Sequence, residues 1–342
     1  MEENRGQLGI IACDSGRPFA EKIIGFLEDI IKSEKARNDV KILDTQEARF
    51  ANSEIKTELN ESIRGHDIYI IQDVANSVTG SSIDTNLRAL KTAIDAACRC
   101  DAHYVTAVLP VFPYARQDKP LVREGITAAQ VAREIEDTGA ERVITLDVHN
   151  EASGGFFRRA KLENLHASKN MMGYVRENIG IDDLAVLSPD PGGVRRANHY
   201  AKALGAKLGI MYKERDYSSA NHVENVALLG DVKDKNVLII DDMIDTAGTL
   251  VKNVELLKEK HGPKDIYFAC SLPMFNGPAV ERLRGAYDKG LLTSVIGTDA
   301  VYHGGENFLK ENPWYREVSV AKYFAKVIFN INHHQSLSKL LE

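Results

Sequence analysis

The chain has 342 residues, 44% of them hydrophobic and 27% charged, the balance of a water-soluble globular protein with core enough for two domains. Its 49 acidic residues outnumber 43 Lys and Arg, for a formal net charge of −6. That excludes nucleic-acid binding by bulk positive charge, though not a local basic pocket for a small anion. No apolar run approaches the ~20 residues of a membrane helix. The opening MEENRGQLG has no apolar stretch of a secretory signal behind it, so no membrane partner and a cytoplasmic location are expected. Cys13, Cys98, Cys100 and Cys270 make no C-x-x-C pair, and buried free thiols are expected.

Short apolar runs then recur along the chain. LGIIAC (8–13), DIYIIQ (67–72), YVTAVLPVF (104–112) and RVITLDV (142–148) form a first group. LAVLSP (184–189), LGIMY (208–212), NVLII (236–240), IYFACSL (266–272) and TSVIGT (293–298) form a second. Continuous rather than alternating apolar character predicts strands buried on both faces of a parallel sheet. Helical patterns lie between them. In 249–260 Leu250, Val251, Val254 and Leu257 share a face and Gly262 is placed to stop the helix; 126–138 repeats the pattern with Val131 and Ile135. Strand–helix alternation predicts an open α/β architecture in two domains. The segment 318–342 reads as a helix followed by a polar tail.

In such sheets ligands gather where strand carboxyl ends meet helix starts. NVLIIDDMIDTAGTL delivers Asp241 and Asp242 to that edge, with Asp245, Thr246, Ala247, Gly248 and Thr249 wrapping into the next helix. Three carboxylates in five residues repel one another unless a cation or hydrogen-bonding ligand lies among them. The turn's small residues and the helix N-terminus suit a phosphate, and the acids suit sugar hydroxyls or a cation. The plainer alternative is an acidic turn in which Asp245 or Thr246 merely caps the helix. A response-regulator receiver would place its acidic pair after the first strand, whereas this pair comes deep in the chain.

IIDDMIDTAGTL resembles the phosphoribosyl-pyrophosphate loop shared by phosphoribosyltransferases and ribose-phosphate pyrophosphokinases. PVFPYARQDKP (110–120) is similar to the YARQD segment of the pyrophosphokinases, which helps bind ATP and which ordinary phosphoribosyltransferases lack. Residue chemistry agrees: Arg116 offers a fork of donors to phosphate, while Gln117 and Asp118 could read a base. Further resemblances follow in order: 48–72 to the segment that reaches adenine from a neighbouring subunit, TLDVHN (145–150) to the Asp-Leu-His motif, and LSPDPGGVRRA (187–197) to Ser-Pro-Asp-x-Gly-Gly. YKER (212–215) resembles the base of the flexible catalytic arm, and NGPAVERL (276–283) a Ser-Gly-Pro-Ala segment. With the tail HQSLSKLL, the likeness to the ribose-phosphate pyrophosphokinase family spans nearly the whole chain.

The resemblance implies two phosphoribosyltransferase-like domains, each an open, mainly parallel sheet flanked by helices: 1–158 joined by 323–342, and 159–322 carrying the ribose-5-phosphate loop. It implies pyrophosphate transfer from Mg-ATP to the anomeric hydroxyl of ribose 5-phosphate. Lys213 and Arg215 would stabilise the transferring charge. Phe50, Asn52, Glu54, Arg116, Gln117, Asp118 and Arg196 would hold ATP, and His149 and Asp190 a Mg2+ ion. Asp241, Asp242 and Asp245 through Thr249 would hold ribose 5-phosphate. A homo-oligomer of dimers building a hexamer is implied. The segment 119–127, with Pro120, Arg123 and Gly125, reads as a flap over the site. The chain departs from the family pattern at Ala51-Asn52-Ser53, Gly125, Gln130, 150–153 and Leu272. A phosphoribosyltransferase and a noncatalytic regulatory subunit are the alternatives.

Overall fold

The computed structural model describes residues 5–36, 40–76, 78–215 and 224–341. The chain divides into two compact units, the first comprising Met1–His166, Asp299–Gly304 and Ser319–Glu342, the second Ala167–Thr298 and Gly305–Val318.

The first unit is built on β1 (Leu8–Ala12), a hairpin of β2 (Thr45–Arg49) and β3 (Ile55–Leu59), and β4 (Asp67–Ile71), β5 (Tyr104–Val108), β6 (Arg142–Leu146) and β7 (Lys161–Leu165). Five of these pair in the order β1-β4-β5-β6-β7, all parallel. Every residue of β1 and β4 is buried, as unbroken apolar runs covered on both faces require. Three helices, α1 (Arg17–Ser33), α2 (Ile83–Arg99) and α3 (Thr127–Thr138), pack their apolar stripes on the sheet. The Ser82 side chain accepts from the Thr85 N–H at 3.1 Å and starts α2.

The second unit carries a seven-stranded sheet in the order β10-β9-β8-β11-β12-β13-β14. Its strands are β8 (Leu184–Ser188), β9 (Lys207–Arg215), β10 (Glu224–Leu229), β11 (Asn236–Ile244), β12 (Ile266–Pro273), β13 (Ser294–Thr298) and β14 (Tyr315–Val318). All neighbours are parallel except the β9–β10 pair. Helices α4 (Ser168–Asn178), α5 (Val194–Leu204), α6 (Gly248–His261) and α7 (Ala279–Asp288) alternate with them, and α8 (Glu306–Glu311) precedes β14. Gly262, at φ 57°, ends α6 in the left-handed conformation that glycine adopts without strain. Lys258, Lys260 and His261 in its last turn suit the negative end of the helix dipole.

Two carboxylates integrate the late segments into the first unit. Buried Asp73 accepts from the N–H groups of Ala75 at 3.0 Å and Tyr302 at 2.9 Å, anchoring the excursion Asp299–Gly304. Asp299 accepts from Lys22 at 3.0 Å, the Ser319 hydroxyl at 2.7 Å and the Val320 N–H at 2.7 Å, where α9 (Ala321–Asn332) begins. Helix α9 then packs on α1, with Phe19 and Phe324 edge to face at 5.2 Å. The expected polar tail carries a last helical turn, α10 (Ser338–Leu341).

Cys13 and Cys270 are buried, as expected, but Cys98 and Cys100 are exposed. Both sit at the end of α2, where the helix runs out of the core that covers its apolar face. Three strands lacked a signal strong enough to be expected: β7, β10 and β14. TQEAR and IKTEL of the β2–β3 hairpin also read as polar segments.

The second core closes over an aromatic cluster in which Phe275 meets Trp314 at 5.5 Å and Tyr315 at 5.2 Å, both edge-on. Trp314, the single tryptophan, is fully buried. Trp314→Ala removes that contact and leaves a cavity, so it should lower unfolding stability by about 3–5 kcal/mol. Urea unfolding followed by far-UV circular dichroism measures the loss.

Candidate active site

The order of the second sheet reverses between β8 and β11, which pair side by side in register Leu184↔Asn236 to Leu187↔Ile239. Strand connections leave in opposite directions there, opening a crevice at the carboxyl ends of the two strands. Both ends are chemically loaded. After β8 come Asp190 and the Gly192-Gly193 turn; β11 runs through Asp241 and Asp242 to the 245–249 loop.

At the end of β8, the Ser188 hydroxyl donates to the Asp190 carbonyl at 2.6 Å and an Asp190 carboxylate oxygen accepts from the Gly193 N–H at 2.9 Å. A Cβ on Gly193 would meet Ser188 Oγ at 2.8 Å, so glycine is required for the turn to pass this close. The turn launches α5, whose Arg196 reaches across to β11. Its guanidinium lies 3.7 Å from Asp241 Oδ1 and 3.8 Å from Asp242 Oδ2. One cation thus offsets part of the repulsion between two neighbouring acids. Asp242 is buried, and its N–H donates to the Asp241 carboxylate at 2.9 Å. Burial, then the charge of Asp242, still pushes the Asp241 carboxyl well above the ordinary carboxylate range.

Five residues beyond Asp242, the chain turns into α6 through Ala247, at a left-handed φ of 58°. For a residue with a Cβ that conformation costs roughly 1–2 kcal/mol and persists only where surrounding contacts impose it. Ala247 occupies the helix N-cap position, and a methyl group accepts no hydrogen bond. Among the described residues no acceptor faces the N–H groups of Ala247, Gly248 or Thr249. The capping-only interpretation of this acidic turn therefore loses its support: these N–H groups lie at the positive end of α6, an arrangement suited to an anion. Asp245 is held from the side, its carboxylate accepting from Asn276 Nδ2 at 3.0 Å and its carbonyl from the Asn276 N–H at 3.0 Å.

Lys213 and Arg215 occupy alternate positions at the end of β9, with backbone register Lys213↔Val226 and Arg215↔Glu224. Their side chains lie outside the described residues.

In the first unit, Arg116, Gln117 and Asp118 follow β5, and His149 follows β6, so adjacent parallel strands bring their ends together. Asn150 Nδ2 donates to Asp118 Oδ2 at 2.7 Å, tying the two ends directly. The Thr127 hydroxyl donates to Gln117 Oε1 at 2.6 Å, and the Ala128 N–H to the Gln117 carbonyl at 3.2 Å. These bonds close the base of the expected flap, whose residues 119–126 are all exposed, Leu121 at 81%. Phe50, Asn52 and Glu54 lie at the exposed tip of the β2–β3 hairpin. There the Phe50 N–H bonds the Glu54 carbonyl and Asn52 Oδ1 accepts from the Glu54 N–H.

Three residues assigned no role from sequence join these groups: Asn150, Asn276 and Arg282, whose guanidinium donates to the Thr246 carbonyl at 2.9 Å. Asn150 and Asn276 each follow a strand at its carboxyl edge, a signal that could have found them. Arg282 sits within α7, where nothing in its spacing marks it. No cluster of three or more His, Cys, Asp or Glu side chains forms a metal cage among the described residues. Nor is any helix there long and apolar enough to cross a membrane.

Comparison with known proteins gives this geometry a family. The N-terminal domain of ribose phosphate pyrophosphokinase matches residues 8–139, and the phosphoribosyl transferase domain matches residues 159–305. A ribose-phosphate pyrophosphokinase of Thermotoga maritima is 36% identical over 337 residues, 98% of each chain. One from Porphyromonas gingivalis is 37% identical over 294 residues, 85% of this chain and 87% of its own. The crystal structure of phosphoribosylpyrophosphate synthetase from Mycobacterium smegmatis superposes with a TM-score of 0.82 at 31% identity, covering 95% of this chain and 98% of that one. With two parallel-sheet α/β domains matched in order along its length, the chain belongs to the ribose-phosphate pyrophosphokinase family.

Proposed function

We propose that this protein makes phosphoribosyl pyrophosphate, transferring pyrophosphate from Mg-ATP to the anomeric hydroxyl of ribose 5-phosphate and releasing AMP. One observation carries the reading: at the switch point of the second sheet, two acids held by Arg196 stand beside a helix start whose N–H groups have no acceptor among the described residues. A phosphorylated sugar meets both demands, its phosphate taking the N–H groups of Ala247, Gly248 and Thr249 and its hydroxyls the acids. Asp245 and Thr246 frame that phosphate.

In such transfers catalysis is mostly positioning and charge stabilisation. Lys213 and Arg215 are assigned to the charge that develops on the transferring group. Arg116, Gln117 and Asp118 are assigned to ATP, with Phe50, Asn52 and Glu54 of a neighbouring subunit, in an assembly of dimers building a hexamer. The hairpin tip supports that donation, because Phe50, Asn52 and Glu54 are all exposed there. Arg196 is assigned to ATP as well, with its guanidinium also lying against Asp241 and Asp242. Magnesium ordinarily keeps several waters and takes one or two protein ligands plus substrate phosphates. His149 and Asp190, exposed oxygen and nitrogen donors at strand ends, fit that sparse role better than a dedicated cage.

Three outcomes check the reading. AMP should appear only when ribose 5-phosphate, ATP and Mg2+ are all present. A folded protein that binds a partner enzyme and releases no AMP would instead be a noncatalytic subunit; pyrophosphate release from phosphoribosyl pyrophosphate and a base would mark a transferase. Lys213→Ala should lower kcat roughly a hundredfold or more, as loss of a charge-stabilising donor does, while KM for either substrate moves far less. Steady-state kinetics separates the two parameters.

The Asp241 carboxyl gives a stability signature. Because its affinity for a proton is raised on folding, the folded form binds more protons than the unfolded chain between the ordinary carboxylate range and the raised value. Stability of the ligand-free protein should therefore fall as pH rises through that interval. Asp241→Asn should flatten the fall, read as urea midpoints at a series of pH values.

A further inference from the structure

Resting on the assignment of the 245–249 loop to the sugar phosphate, we propose that Arg282 is a positioning residue for that loop, aiming its N–H groups at the phosphate from behind. The guanidinium of Arg282, on α7, donates to the Thr246 carbonyl at 2.9 Å. A trans peptide is planar, with its C=O and N–H pointing in opposite directions. A Thr246 carbonyl drawn toward Arg282 therefore turns the Ala247 N–H away from α7. The next peptide follows the left-handed φ of 58° at Ala247, a conformation that a non-glycine residue does not hold unaided. Arg282 supplies one of the contacts that impose it.

Close packing supports the same geometry. A Cβ added to Gly248 would lie 3.3 Å from the Arg282 guanidinium nitrogen, so the cation rests directly against the loop. Among the described residues Arg282 makes no ion pair with a carboxylate. Asn276, leading into α7, holds the other end of the turn through its two bonds to Asp245. The start of α7 and the loop before it thus act as a rigid backing for the turn. Arg282 does not touch the ligand; it acts through the Thr246–Ala247 peptide.

Calorimetric titration of ribose 5-phosphate and, separately, Mg-ATP into the full chain tests the proposal. Arg282 is exposed and alanine suits a helix, so Arg282→Ala retains the fold. It should bind ribose 5-phosphate about tenfold more weakly, the scale of one charge-assisted hydrogen bond, with ATP affinity unchanged. Arg282→Lys, whose ammonium still reaches a carbonyl, should recover most of the loss. A decrease under about threefold, an equal loss for ATP, or no rescue by lysine would overturn the proposal, since each is below or outside what one such contact supplies. Wild-type protein that binds no ribose 5-phosphate would overturn the loop assignment itself, and this proposal with it.

Discussion

The second domain is organised around an electrostatic constraint: two adjacent carboxylates at the end of a strand buried on both faces. Asp242 is buried and Asp241 only partly exposed, so water screens the pair less than at an open surface and their mutual repulsion is met in part by groups the fold supplies. Arg196 comes from α5 and an internal N–H bond comes from Asp242 itself. The remaining charge suits hydroxyls or a cation, the role proposed for the pair. The strand order follows the same logic, because the reversal between β8 and β11 sets the arginine-bearing α5 against the acidic end of β11.

Around that centre the loop into α6 is strained and uncapped, and both properties point the same way. A helix that merely needed to begin would take Ser, Thr, Asp or Asn at its N-cap; this one places Ala247 there in a left-handed conformation. The arrangement forgoes local stability and leaves N–H groups without an acceptor among the described residues, the place proposed for a phosphate, with backing from Asn276 and Arg282. In the first domain the equivalent economy is different. Asp118 and Gln117, expected to face a nucleotide, already hold Asn150 and Thr127, so they fix the base of the 119–126 segment as well as offering polar edges.

Much of this was legible before any coordinates. Nine apolar runs marked nine parallel strands because burial on both faces leaves little room for polar residues. The ordered motifs pointed to one family, which the comparisons show. What escaped were elements whose sequences carry no such run. The hairpin strands TQEAR and IKTEL are half exposed, and β7, KLENL, lies at a sheet edge, so neither needs continuous apolar character. The exposed Cys98 and Cys100 were misjudged because cysteine's preference for burial is statistical, while the end of a helix is set by what lies over it.

The sequence alone determined the local chemistry: an apolar strand running into Asp241, Asp242 and a small-residue turn, and a YARQD segment after another strand. Those follow from nearest-neighbour order, which residue spacing records directly. Only the tertiary structure decided which distant groups meet them. Arg196 against the acids, Asn150 on Asp118 and Arg282 behind Thr246 join residues separated by 32 to 46 positions. Strand order and helix packing set those distances, and neither is written in the spacing of any one segment.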